Sequence, residues 1–307
     1  MNIAIFGGTG YLGSYLVDAL IDQGHEPVLL TRPDQGRKTG ADPHRYRTIP
    51  GHLHDKEAMR RVIFESEAVI YNVGILREFP HRGITFQALQ YEGARDAMDM
   101  AAELGVRRFF LTSANGARAD GTPYQRTKYL AEEHLHASGL AGTVFRPSVI
   151  FGDPRGRGEF ATQLCEEIIR PPIPAPLFHP GMRLTEAGRF RLSPIHVKDV
   201  VEIYIKALTD PDAIGKTYPL CGPDALEWRA ILKTIGRAVG RNKWTVPVPV
   251  FPLKIAAGLL DRFSAFPITR DQLTMLLEGN TGDSSAVFET YGMTPTPFDE
   301  RTLAYLN

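Results

Sequence analysis

The chain opens with an unbroken apolar run, Ile3-Ala4-Ile5-Phe6, followed by Gly7, Gly8, Thr9, Gly10 and Gly13 and an amphipathic stretch from Tyr11 to about Gln23. A short apolar run closed by glycines predicts a buried strand, and apolar positions at three- and four-residue spacing predict a helix. The alternation continues. Pro27–Thr31 reads as a second strand, Arg47–Ile49 as a third, Ala58–Phe64 as a short helix and Ala68–Tyr71 as a fourth strand. A long helix is predicted over roughly 85–104, a fifth strand over Arg108–Thr112, a helix from Tyr124 to about Ser138, and a sixth strand over Thr143–Arg146. Continuous apolar strands joined by helices imply a parallel sheet covered on both faces. The expected class is α/β, a doubly wound (Rossmann) sheet with a smaller, mostly helical C-terminal lobe.

The pattern changes after Phe151-Gly152, which divides a nucleotide-binding core (1–152) from a mixed region (153–307) that returns to the sheet at about 190–222. Arg170-Pro171-Pro172-Ile173-Pro174-Ala175-Pro176 cannot be a helix interior, because proline lacks the N–H and clashes with the preceding turn. It reads as an extended surface connection. Helices are expected near 225–239, 252–263 and 269–278, with ligand in a crevice outside the strand ends. The apolar stretch from Val246 to Leu260 reads first as core packing, and otherwise as a peripheral membrane or partner contact.

The opening strand, glycine turn and helix have the order of a phosphate-binding corner. Glycine permits the tight turn and close backbone approach, and the helix N-terminus offers N–H groups and partial positive charge to an anion. About twenty residues after the last glycine, such folds carry an acid for a ribose 2′-hydroxyl or an arginine for a 2′-phosphate. Thr31-Arg32 stands there with no carboxylate, and Arg37 and Lys38 follow. NADP(H) is therefore expected over NAD(H).

Tyr124-Gln125-Arg126-Thr127-Lys128 puts a phenol and an ammonium four residues apart on one helix face. An adjacent ammonium stabilises a phenolate, which makes the tyrosine a usable acid or base. His196 reads as a packing histidine at a strand-to-helix junction. His134 and His136 sit two apart on different faces, so no metal site is expected. Arg155, Arg157, Arg183, Arg189 and Arg191 are either solvated surface charges or a grip on an anionic substrate.

The glycine turn, the Tyr124-x-x-x-Lys128 pair, Arg146-Pro147-Ser148-Val149-Ile150-Phe151-Gly152 and Ile195-His196-Val197-Lys198-Asp199-Val200 together resemble the extended or atypical short-chain dehydrogenase/reductase family (NAD-dependent epimerase/dehydratase-like). Residues 267–276 resemble the group related to the nucleotide-binding accessory subunit of respiratory complex I. The resemblance implies that Tyr124 is the proton donor or acceptor and that Lys128 holds the nicotinamide ribose. It implies that Gly7, Gly10 and Gly13 receive the pyrophosphate, with Gly8, Thr9, Tyr11 and Leu12 of the same turn among the cofactor-binding residues. Asn72-Val73-Gly74 and Thr112 would pass along the cofactor, His52-Leu53 would lie near the adenine, and Pro147 with Val149 would line the nicotinamide. The family's substrate-polarising serine aligns with Ala114. Ser113 takes that role if the strand end is shifted by one residue, a shift that reverses side-chain direction. The interval from Ser113 to Tyr124 is shorter than in sugar-nucleotide epimerases.

Charge is balanced, with 35 basic and 35 acidic residues, which argues against a nucleic-acid partner. Two distant cysteines, Cys165 and Cys221, fit reduced thiols rather than a disulfide. No basic leader precedes the first strand and no apolar run reaches about 20 residues, so a cytoplasmic protein is expected, at most peripheral to a membrane. Three functions remain open: an NADP(H)-dependent oxidoreductase of unknown small-molecule substrate, a non-turnover NADPH-binding assembly or sensor protein, and a nucleotide-sugar epimerase or dehydratase.

Overall fold

The computed structural model describes residues 1–33, 45–179, 181, 184–251 and 269–307. Two compact units divide the chain: Met1–Pro147 with Val197–Pro219, and Ser148–His196 with Leu220–Asn307. The division thus falls a few residues before Gly152, and the helix that follows His196 returns to the first unit.

The first unit runs β1 (Asn2–Phe6), α1 (Tyr11–Asp22), β2 (Glu26–Thr31), β3 (Arg47–Pro50), α2 (Lys56–Ile63), β4 (Ala68–Tyr71), a π-helical turn (Gln87–Glu92) leading into α3 (Gly93–Glu103), β5 (Arg108–Thr112), α4 (Pro123–Ala137), β6 (Ala141–Pro147), α5 (Val197–Thr209) and β7 (Thr217–Leu220). The sheet order is β7-β6-β5-β4-β1-β2-β3. Its pairs are parallel, with Ala4 opposite both Val28 and Val69. The order reverses between β1 and β4, the place where such sheets bind ligands.

Both faces are covered, which explains the continuous apolar runs: Ile3–Phe6 is fully buried. Alternate residues Ala4, Phe6, Val69, Tyr71, Phe109 and Leu111 pack against Met59 and Val62 of α2, Ala97 and Met98 of α3 and Ala131 of α4. On the opposite face α1 packs against α5, whose Tyr204 ring lies 3.9 Å from that of Phe145. A capping box fixes the start of α4: Thr122 N–H donates to Gln125 Oε1 at 2.8 Å, Gln125 N–H returns to Thr122 Oγ1, and Pro123 occupies the first turn.

The single helix expected over 85–104 is two pieces. The Tyr71 hydroxyl donates to the Leu89 carbonyl at 2.5 Å, and a Cβ at Gly93 would lie 2.5 Å from the same hydroxyl oxygen. A side chain inserted into the helical ladder widens that turn, and glycine leaves it room.

In the second unit, Trp228 anchors a core with Ile231, Leu232, Phe151, Phe298 and Leu303. Its indole N–H donates to the Pro176 carbonyl at 3.0 Å. The helices expected near 225–239 and 269–278 are Trp228–Ala238 and Arg270–Glu278. The one expected at 252–263, with Leu253, Ile255 and Leu259, lies outside the described residues. The proline-rich segment expected as a plain connection contributes a strand, Ala175–His179, paired in parallel with Thr245–Pro249. Val246 and Phe251 are exposed (42% and 71%), contrary to the core packing expected of them. Among the described residues no helix is long and apolar enough to cross a membrane. Cys165 and Cys221 are buried free thiols.

Candidate nucleotide-binding and active site

At the switch point, Gly7 leaves β1 with φ +86°, a conformation L side chains rarely adopt, and a Cβ there would fall on the Asn72 carbonyl. Gly10 N–H donates to Gly7 O at 3.1 Å, and a Cβ at Gly13 would collide with that same oxygen. The chain is thus folded tightly onto itself, and Gly10 begins α1 with no side-chain cap and no acidic residue in the first turn. Leu12 turns into the core while Tyr11 meets Tyr15 edge to face at 5.8 Å. A glycine cradle opening onto an uncapped helix N-terminus fits a dinucleotide pyrophosphate.

Thr31 ends β2 buried, its carbonyl accepting from Gly51 N–H at 3.0 Å, and Arg32 follows exposed. Arg37 and Lys38 lie outside the described residues. His52 is exposed in the turn before α2, and Leu53 packs part-buried on the core. Asn72 N–H continues the β1 ladder to Phe6 O at 2.9 Å, so Asn72-Val73-Gly74 runs beside the glycine turn.

Helix α4 brings Lys128 to the ends of β4 and β5. Its ammonium, 3% exposed, donates to Val73 O at 3.0 Å and Thr112 O at 2.8 Å, leaving one of three donors. Burial pushes Lys128 down to about 8, opposed by the negative charge of Glu132. Tyr124, one turn earlier, stands edge-on to Phe86 at 5.7 Å. Its phenol is pushed up to about 12 by burial. Burial thus raises the phenol where the sequence led us to expect a lowering, and the Lys128 ammonium is turned onto two carbonyls. At neutral pH the site therefore holds a protonated phenol, suited to donating a proton.

Ser113 is 3% exposed; its hydroxyl donates to Glu132 and its N–H to Phe145 O at 2.7 Å. Glu132 also accepts from Arg146 Nε at 2.9 Å and pairs with its Nη2. The preceding Thr112 hydroxyl meets Tyr204 Oη at 2.6 Å on the other face of the sheet. Ala114 is buried and carries only a methyl. Pro147 ends β6 and accepts from Asn115 N–H at 2.9 Å. Val149 belongs to the second unit, where its carbonyl accepts from Ile195 N–H.

Sequence reasoning left out Glu132, Arg146 and Gln90. Gln90 donates to Ile75 O at 2.8 Å and accepts from Thr127 Oγ1 at 3.1 Å, tying α4 to the segment after β4. Glu132 was within reach, since it continues the four-residue spacing of Tyr124 and Lys128 along one helix face. Arg146 becomes visible only once β6 lies beside α4.

The sequence profile of the NAD dependent epimerase/dehydratase family matches residues 3–221. The chain is 26% identical over 308 residues to the mitochondrial NADH-ubiquinone oxidoreductase 40 kDa subunit of Neurospora crassa, covering 98% of this chain and 78% of that protein. It is 26% identical over 270 residues to a ceramide reductase of Caulobacter vibrioides, covering 87% and 80%. Among solved structures, the UDP-glucose 4-epimerase of Thermus thermophilus in complex with NAD superposes with a TM-score of 0.76 at 17% identity, covering 100% of this chain and 97% of the other. That likeness concerns the fold. The family profile spans the glycine cradle, the Tyr124–Lys128 helix and the seven-stranded sheet, and the chain belongs to the NAD-dependent epimerase/dehydratase family.

Proposed function

We propose that this protein binds NADP(H) and reduces a carbonyl compound to an alcohol, with Tyr124 as proton donor. The observation that carries this reading is Lys128, buried at the ends of β4 and β5 next to the glycine cradle with its ammonium on Val73 O and Thr112 O, one helical turn after the phenol of Tyr124. A nicotinamide dinucleotide, when bound, supplies a hydride from C4. The chain's own residues do the rest. The N-terminus of α1 and the turn Gly7–Gly13 hold the pyrophosphate, and the Arg32 guanidinium takes the 2′-phosphate. The remaining Lys128 donor holds a ribose hydroxyl. Tyr124 gives its proton to the carbonyl oxygen as the carbon is reduced, and recovers it from solvent. The matched ceramide reductase supports a carbonyl-reducing role, and the protein would act in the cytoplasm, as a soluble or membrane-peripheral species.

Identifying the nucleotide that co-purifies, then following nicotinamide absorbance against carbonyl and quinone panels, tests this. The expected result is tight NADPH, weaker NADH, and turnover abolished by Tyr124→Phe. Equal affinity for both dinucleotides, unchanged by Arg32→Ala, would remove the NADP(H) assignment.

A second reading is a protein that holds NADPH without turnover, in assembly or sensing. The specific observation favouring it is the hydroxyl supply at the end of β5: Ala114 has none, and that of Ser113 is committed to Glu132. NADPH bound tightly and oxidised by no member of the panels is its expected outcome.

A further inference from the structure

We infer that the edge of the second unit built from the strand Thr245–Pro249 docks onto an anionic lipid surface. Four of that strand's five residues are exposed although it is composed of Thr, Val and Pro. Trp244, immediately before it, is 79% exposed, and Phe251, just beyond it, 71%. Ile173 is 62% exposed and lies at the same end as Trp244, because Ala175 N–H donates to Trp244 O at 2.7 Å. At about 3.3 Å per residue the strand spans about 17 Å, with Trp244 just before it and Phe251 in the helical turn just after it. Large apolar side chains exposed this close together mark an interaction site.

Two features select lipid as the occupant. Segments 170–179 and 241–251 contain no Asp or Glu, yet they carry Arg170, Arg241 and Lys243. Arg170 pairs with Glu166, while Arg241 Nη1 donates to Arg170 O at 2.6 Å and Lys243 Nζ donates to Pro171 O. The latter two cations are thereby pinned beside the Trp244–Ile173 end. Tryptophan beside basic residues, with aliphatic side chains in the same strip, matches the layered chemistry of a membrane interface.

The second feature disfavours another protein strand. Because Trp244 O bonds the neighbouring strand, even-numbered residues direct their backbone groups inward. Pro247 and Pro249 then fall at the outward positions, where they supply no N–H donors. Thr245 alone among the outward positions keeps an N–H, and an edge with a single donor is a poor template for an added strand.

The molecule carries its own reporter. It has two tryptophans, Trp244 on this edge and Trp228 buried at 2% exposure. Full-length protein is titrated with phosphatidylcholine vesicles, with and without phosphatidylglycerol, following tryptophan emission and co-sedimentation. Expected are a blue shift and sedimentation with the phosphatidylglycerol vesicles, and weakened binding for Trp244→Ser and Ile173→Ser. Arg241→Glu and Lys243→Glu should each weaken it on the order of fivefold or more, and added salt should weaken it too. Trp244→Phe should still sediment but lose the shift. Unchanged Trp228 emission and near-native melting verify that each variant folds. The inference is overturned if anionic vesicles neither shift nor sediment the protein, if the serine variants bind as the parent does, or if lipid-free protein forms a dimer that shields Trp244.

Discussion

The hydroxyl of Ser113 donates to the carboxylate of Glu132, itself 2% exposed and paired with Arg146. The neighbouring carbonyl, Thr112 O, accepts from Lys128. Helix α4 thus grips the end of β5 twice, through side chains one turn apart, and this fixes which way the strand end faces. Ser113→Ala should cost about 1–3 kcal/mol of stability, the loss of a buried hydrogen bond to a charged group, in urea unfolding. NADPH affinity should not change. A large loss of affinity would mean that this hydroxyl reaches the ligand.

Glu132→Gln should be far more disruptive to folding, about 3–5 kcal/mol, because Arg146 is left as an uncompensated part-buried charge. It should also move a functional pH limit. The Glu132 charge raises Lys128, so its removal drops Lys128 further, and NADPH binding should fail at a lower pH than in the parent. Isothermal titration across pH reads both limits.

Lys128 sets a sign for stability as well as for binding. Its ordinary value is 10.5 and its folded value about 8, so between these the unfolded chain binds more protons. The cost of burying the ammonium is complete below about pH 8 and disappears as pH rises toward 10.5. The parent should therefore gain stability relative to Lys128→Met across that window, while NADPH binding declines through it. Denaturant midpoints of both proteins at a series of pH values check the first; nucleotide titrations check the second.

Tyr124, at about 12, stays protonated throughout the range in which Lys128 titrates. In the proposed reduction, the alkaline fall in rate should then follow Lys128 near pH 8. Tyr124→Phe should bind NADPH within about threefold of the parent and lose at least about a hundredfold in turnover. An alkaline limit that persists unchanged in Lys128→Arg would count against this assignment.

Gly7→Ala should abolish nucleotide binding and destabilise the fold by about 1–3 kcal/mol, since φ +86° is strained for alanine and the added Cβ meets the Asn72 carbonyl. Gly24→Ala also has positive φ (+77°), but its Cβ would meet nothing within 4 Å. It should cost less and leave binding intact. Thermal melts with and without NADPH separate the two.

What the sequence determined is local. The run Ile3–Phe6, its glycines and the helix after them follow from side-chain periodicity and from glycine's freedom, and the structure has strand, turn and helix there. The apolar strands lie within one or two residues of their predicted places, because burial on both faces leaves a continuous signal. The spacing of Tyr124 and Lys128 needs only a helix. Tertiary structure decided what depends on meeting distant residues: the π-turn created by Tyr71 against Leu89, and the pairing of two proline-bearing strands around residues 175 and 245. It also decided the direction of Ser113. A strand-end side chain faces one side or the other according to a one-residue register, and that register was set by Glu132 and Arg146, which come together only when α4 and β6 have folded beside it.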